Sequence, residues 1–157
     1  SGLPIAAVVG RADIMDAAAI GSIGGTYIGS PICCVAASAT IKYMKDINLN
    51  EKAIKIGNVI MDRLQHLMKQ HSEIGDVRGV GAMVAIEFVK NGDPRQPNSE
   101  ICPQIVKGCA EDGLVILSAG TYKNALRILS PLVITEEQLE KGLSILEVQI
   151  KKAIKNI

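Results

Sequence analysis

Ile74-Gly75-Asp76-Val77-Arg78-Gly79-Val80-Gly81-Ala82-Met83-Val84-Ala85-Ile86-Glu87-Phe88-Val89 is the stretch that decides the fold. It divides into two short extended segments, Ile74–Val80 and Ala82–Val89, about the corner Gly79-Val80-Gly81. In the second segment Val84, Ile86 and Phe88 alternate with Met83, Ala85 and Glu87. That period of two describes a strand with one better-buried face.

Working outward, Leu114–Ser118 and Ala125–Leu129 read as a second pair of strands around the turn residues Gly120 to Asn124. Between the pairs, residues 91–99 form a polar loop with two prolines; Pro103 can start a helix and Gly113 can end it. Before the first pair, Asn50 is placed to cap a helix whose apolar stripe is Ala53, Ile54, Ile60, Met61, Leu64, Leu67 and Met68. After the second pair, Thr135-Glu136-Glu137-Gln138 is a capping box, and Leu139, Leu143, Leu146 and Ile150 follow on one helix face. From about residue 50 the order is helix, strand, strand, helix, strand, strand, helix. An α+β fold accounts for it, with helices on one face of a small, mainly antiparallel sheet.

The first part of the chain reads differently. Ile5-Ala6-Ala7-Val8-Val9 has the pattern of a buried strand with no polar face, yet residues 1–30 supply almost no neighbours for it. No initiator Met precedes it, and the expectation is a chain that begins inside a larger protein. The glycine-rich segment Gly21–Gly29 follows. Ser30 as N-cap and Pro31 at the first helical position then open a helix carrying Ile32, Val35, Ala36, Ala39 and Tyr43. The expected division is 1–48 and 49–157.

Composition sets the limits on function. The chain has 157 residues, 48% hydrophobic and 21% charged, which excludes wholesale disorder. Aromatics are only 3%, so the core is aliphatic and a stacking surface for single-stranded nucleic acid is not expected. Seventeen basic against sixteen acidic residues give a net charge of +1, with no general attraction to nucleic acid or anionic membrane. Lys151, Lys152 and Lys155 sit where they complement the dipole of the last helix. Cys33, Cys34, Cys102 and Cys109 form no C-x-x-C, and His66 and His71 fall on different helix faces, so no metal site is expected. Reduced thiols and the absence of a signal peptide or membrane span fit a cytoplasmic protein.

Two features carry chemistry. Gly24-Gly25-Thr26 lies ahead of a helix, where bare backbone amides and a hydroxyl suit either a simple turn or a phosphate site. No Gly-Lys-Ser/Thr follows, so it is not a Walker motif. Arg127 stands among aliphatic residues in Ala125-Leu126-Arg127-Ile128-Leu129. Such an Arg is expensive to bury without an anion. It fits a structural ion pair, with Glu87 as partner, or a bidentate clamp for a substrate carboxylate. Asp13 and Asp16 read as helix-capping residues, Asp76 and Arg78 as a surface pair. Ser118 and Ser130 have no neighbouring base to activate them.

Gly2-Leu3-Pro4, Gly24-Gly25-Thr26-Tyr27 with Gly29 and Pro31, Asp76-Val77-Arg78-Gly79 with Gly81-Ala82-Met83, and Leu126-Arg127-Ile128-Leu129 occur in this order and spacing. As a set they resemble the C-terminal part of the class III pyridoxal-phosphate aminotransferases, within them the bacterial 4-aminobutyrate branch, over essentially the whole chain. The family commonly has Gly-Asn-Pro after the tyrosine; Gly29-Ser30-Pro31 keeps an equally good cap.

The resemblance implies that residues 1–48 are the tail of the large cofactor domain with a connecting helix, and 49–157 the small C-terminal domain of a fold-type-I enzyme. It implies that Thr26 and the adjacent Gly25 hold the phosphate of pyridoxal phosphate in a neighbouring subunit of a homodimer or higher homo-oligomer. Arg127 would bind the substrate carboxylate. The reaction implied moves the amino group of 4-aminobutyrate to 2-oxoglutarate, giving succinate semialdehyde and glutamate. The family's Schiff-base lysine lies upstream of Ser1 and Lys42 does not replace it, so no catalytic residue is assigned. The chain by itself is expected to be inactive, to bind no cofactor, and to self-associate through Ile5–Val9 and the 32–43 helix. The alternatives are a related ω-aminotransferase using ornithine, acetylornithine or β-alanine, and a non-enzymatic interaction or effector-binding domain.

Overall fold

The computed structural model describes residues 2–156. The chain divides into two units, Ser1–Leu49 and Asn50–Ile157.

In the first unit, a single helical turn, α1 (Ala12–Met15), precedes α2 (Pro31–Asp46). Arg11 donates to both oxygens of Asp13, which lies in the first turn of α1, and Asp16 is its C-cap. Pro31 takes the first helical position of α2 and Ser30 the N-cap, although the Ser30 hydroxyl makes no capping bond. Residues 5–9 form no strand, contrary to the sequence pattern. A strand exists through its paired backbone, and among the described residues no segment of this unit pairs with it. Val9 is 95% exposed, and Ile32 and Val35 of α2 are exposed as well.

The second unit runs α3 (Leu49–Met68), β1 (Ile74–Val80), β2 (Met83–Lys90), β3 (Asp93–Pro97), α4 (Ile101–Glu111), β4 (Leu117–Ala119), β5 (Ala125–Leu129) and α5 (Glu136–Lys155). The strand order is β1-β2-β5-β4, every neighbouring pair antiparallel, with β3 added to β2. The two strand pairs therefore share one sheet and the α+β expectation holds, although the expected strand Leu114–Ser118 is only the three residues Leu117–Ala119.

Four local expectations need correction. Asn48 takes a left-handed φ of 49°, and α3 starts at Leu49. Asn50 thus lies inside the first turn and does not cap it. α4 starts at Ile101, so Pro103 sits within its first turn, where a missing N–H costs nothing. His71 lies beyond α3, so the two histidines do not share a helix. Residues 93–97 are a strand and not a loop: Asn91 and Gly92, at φ 54° and 69°, make a two-residue hairpin that brings Asp93 opposite Lys90. Both prolines fit because β3 pairs on one side only.

The core is aliphatic, as its composition required. Ile60, Leu64, Val84, Ile86, Leu126 and Ile150 are among its buried members, around Phe88, the one phenylalanine. Val77, Ile86 and Leu126 are in register across β1, β2 and β5, so one face of the sheet meets the helices. Arg63 of α3 donates to Glu140 and, at 2.8 Å, to Glu147 of α5. Lys151 and Arg63 together hold the Glu147 carboxyl below its usual range. The capping box forms as read: the Gln138 amide donates to Thr135 Oγ1 and the Thr135 amide to the Gln138 side chain. A Cβ on Gly57 would lie 2.0 Å from the Gly81 carbonyl oxygen, so α3 rests on the β1–β2 corner backbone to backbone.

Candidate functional site

The sheet face away from the core carries the candidate chemistry. Arg78, Ala85, Arg127 and Leu117 are in register across β1, β2, β5 and β4. The row to one side is Asp76, Glu87 and Ala125; the row to the other is Val80, Met83 and Leu129. Alternation along each strand puts these residues opposite Val84, Ile86 and Leu126. The face thus presents two arginines flanking a small Ala85, an acidic edge and an apolar edge. A shallow hollow of about 440 Å³ is lined by Arg78, Val80, Met83, Ala85 and Arg127.

Arg78 donates to Asp76 and, at 2.7 Å, to Glu87 Oε2. These bonds, Asp76 first, raise its pKa further above the ordinary arginine value. The other Glu87 oxygen accepts from Asn124 Nδ2 at 3.3 Å, and the same amide donates to the Phe88 carbonyl at 2.8 Å. Asn124 is buried; the sequence marks it only as a turn residue, and the signal for more is an Asn closing a turn directly before a strand.

The pairing of Arg127 with Glu87 is not formed: Arg78 and Asn124 hold the Glu87 carboxylate instead. The premise that Arg127 is buried also fails. The helices cover the opposite face, and Arg127 is exposed. The chain has five arginines. Arg11, Arg63, Arg78 and Arg95 each hold a carboxylate. Among the described residues Arg127 has none. The Asp76–Arg78 surface pair is present as read.

Gly25 and Thr26 belong to the other unit and adjoin one another. The Gly25 carbonyl accepts from the Ile28 amide at 3.1 Å, which folds the turn, and Gly29 closes it at φ 67°. Thr26 is exposed, and among the described residues its hydroxyl makes no hydrogen bond. A Cβ on Gly24 would meet nothing, and one on Gly25 only the Ile28 side chain at 3.5 Å. Neither residue has a positive φ. So neither crowding within the chain nor backbone conformation requires glycine here. The open backbone leaves room for a group brought against it, and bare amides beside an unpartnered hydroxyl are chemistry a phosphate can use. An open hollow of about 700 Å³ adjoins Gly25, Thr26, Ser30 and Cys33.

The other candidates recede. All four cysteines are free; burial pushes the Cys102 thiol up to about 12 and, with help from Asp112, Cys109 to about 11. Neither supplies a thiolate nucleophile. Among the described residues no His, Cys, Asp and Glu group could hold a metal, and no helix is long and apolar enough to cross a membrane.

A family model for class III aminotransferases matches residues 1–150. The chain belongs to the class III aminotransferases. It is 47% identical over 145 residues to a 4-aminobutyrate aminotransferase of Escherichia coli, covering 92% of this chain and 34% of that protein. It is 48% identical over 145 residues to a 5-aminovalerate aminotransferase of Pseudomonas aeruginosa, covering 92% and 34%. This class III chain thus spans about a third of the length of the curated relatives it matches. An amine transaminase from an uncultivated Pseudomonas species, solved in its pyridoxal-phosphate-bound form, superposes with a TM-score of 0.75 at 27% identity, over 85% of this chain and 30% of that one.

Proposed function

We propose that this chain serves a pyridoxal-phosphate-dependent aminotransferase of the cytoplasm. The enzyme transfers the amino group of 4-aminobutyrate to 2-oxoglutarate, giving succinate semialdehyde and glutamate. The observation that carries this reading is Arg127, the one arginine without a carboxylate among the described residues, standing on an open sheet face beside Val80, Met83 and Leu129.

A guanidinium fork accepts a carboxylate through two parallel hydrogen bonds and so fixes direction as well as position. In an ω-amino acid the carboxylate lies at a set number of methylenes from the nitrogen. Holding one end therefore places the other, and the apolar row beside Arg127 suits the methylenes between. Most of the rate gain available from such an anchor is positional. Pyridoxal phosphate, when bound, supplies the electron sink for the reacting carbon. Gly25 and Thr26 fit its phosphate. In this reading they serve a neighbouring subunit, which makes the working assembly a homodimer or a higher homo-oligomer. None of the residues assigned is a lysine able to hold the cofactor covalently, so the 157-residue chain alone is expected to be inactive.

A five-carbon substrate is the second reading, because identity to the 5-aminovalerate enzyme equals that to the 4-aminobutyrate enzyme within a percentage point. The test is a donor series of three-, four- and five-carbon ω-amino acids with 2-oxoglutarate, using the full-length protein. The four-carbon donor should give the highest kcat/KM. A maximum at five carbons moves the assignment to 5-aminovalerate, and no transfer from any of the three overturns it.

A further inference from the structure

Glu87 has two arginines within reach and holds one of them. Its cross-strand partners are Asp76 on β1 and Ala125 on β5. Arg78 lies two residues along β1 and Arg127 two residues along β5, so both are its diagonal neighbours on the same face. Diagonal positions in a sheet lie within the span of long side chains. The carboxylate nonetheless commits to Arg78 at 2.7 Å, while Asn124 takes its second oxygen.

We infer that Arg78 is a positioning residue that holds Glu87 away from Arg127 and so keeps the carboxylate anchor available to substrate. The inference rests on the reading of Arg127 as that anchor. The chemistry is competition between two carboxylates for one guanidinium. An internal carboxylate at diagonal distance is always present, whereas substrate must bind from solution. Arg78 removes the internal competitor, and Asp76 keeps Arg78 on the acidic edge of the face. Arg78, Asp76 and Glu87 together carry one net negative charge next to Arg127. Local charge alone would therefore draw Glu87 across, and the hydrogen bonds to Arg78 and Asn124 are what oppose it.

Arg78→Met keeps the aliphatic stem and removes the guanidinium. The first measurement uses the isotope-labelled 157-residue chain and follows the Arg127 Nε–Hε resonance together with the Glu87 carboxyl carbon. In Arg78→Met both should shift, and in Arg78→Met/Glu87→Gln the Arg127 resonance should return. The second measurement is kinetic, on the full-length protein. An exposed pair of this kind should raise KM for 4-aminobutyrate about two- to fivefold with kcat little changed. The double variant should restore KM, which mere loss of stability would not do, and Arg78→Lys should behave as the parent.

An unmoved Arg127 resonance in Arg78→Met overturns the inference whatever Arg127 does. Arg127→Ala separates the two readings. If it raises KM while Arg78→Met does not, this inference alone fails. If Arg127→Ala leaves KM unchanged, the anchor reading fails and the inference with it.

Discussion

Replacing Gly57 by Ala should destabilise the second unit, although the change favours the helix in isolation. Ala exceeds Gly by about 1 kcal/mol in a helix interior. Against that, the new Cβ would stand 2.0 Å from the Gly81 oxygen and 2.4 Å from its carbonyl carbon. Both are backbone atoms. Gly81 is held at φ 53° between β1 and β2, beside the Val80–Met83 pair. The corner cannot yield without disturbing that pair, so the clash should cost near the upper end of overpacking penalties, about 3 kcal/mol. The net loss is about 2 kcal/mol. For a unit of about 110 residues, unfolding entropy of about 2.1 cal/mol/K per residue turns this into a fall in Tm of roughly 9 °C. Thermal unfolding followed by circular dichroism at 222 nm reads it directly. An unchanged or higher Tm would refute the close approach of α3 to the corner.

Gly142→Ala in α5 is the converse case: its Cβ would make an ordinary 3.6 Å contact with Leu114, so a gain of about 0.5–1 kcal/mol is expected in urea unfolding. Asn124→Ala removes the amide shared by the Phe88 carbonyl and Glu87, which keep their bonds from the Asn98 amide and Arg78, and should cost about 0.5–1.5 kcal/mol by the same measurement. Exposed Cys34 should react with iodoacetamide at pH 8 while Cys102 and Cys109 remain unmodified until the chain unfolds. Those two thiols ordinarily ionise near 9 and in the folded chain near 12 and 11. The folded state therefore holds more protons in that window. Their contribution to stability should be complete below pH 9 and decline as pH rises through it, visible as a falling urea midpoint.

Where local chemistry and packing agree, the sequence was easy to read. The capping box at Thr135 and Gln138 names both its partners within four residues, and the alternation from Met83 to Phe88 states which face is buried. The segment Asp93–Pro97 reads as a loop because of its two prolines, and only an edge position beside the Asn91-Gly92 hairpin lets them sit in a strand. Ile5–Val9 shows the opposite failure, since an apolar run specifies burial but does not supply a partner. Arg127 stood out as an arginine among aliphatic residues, but its exposure depends on which sheet face the helices cover. That it lacks a carboxylate follows from the choice Glu87 makes between two diagonal neighbours. One-dimensional spacing contains neither fact. Thr26 was legible only as a hydroxyl beside glycines, and the structure adds that nothing within the described chain needs those glycines.

The central claim is that Arg127 binds the carboxylate of the substrate, and steady-state kinetics of Arg127→Ala in the full-length protein tests it most directly. The account predicts a KM for 4-aminobutyrate and for 2-oxoglutarate raised at least tenfold, in line with a lost charge-assisted bond of about 1.5–3 kcal/mol, and an unchanged kcat/KM for an amine donor that has no carboxylate, read on the donor half-reaction without 2-oxoglutarate. Equal losses with and without the carboxylate, or none with either, would contradict it.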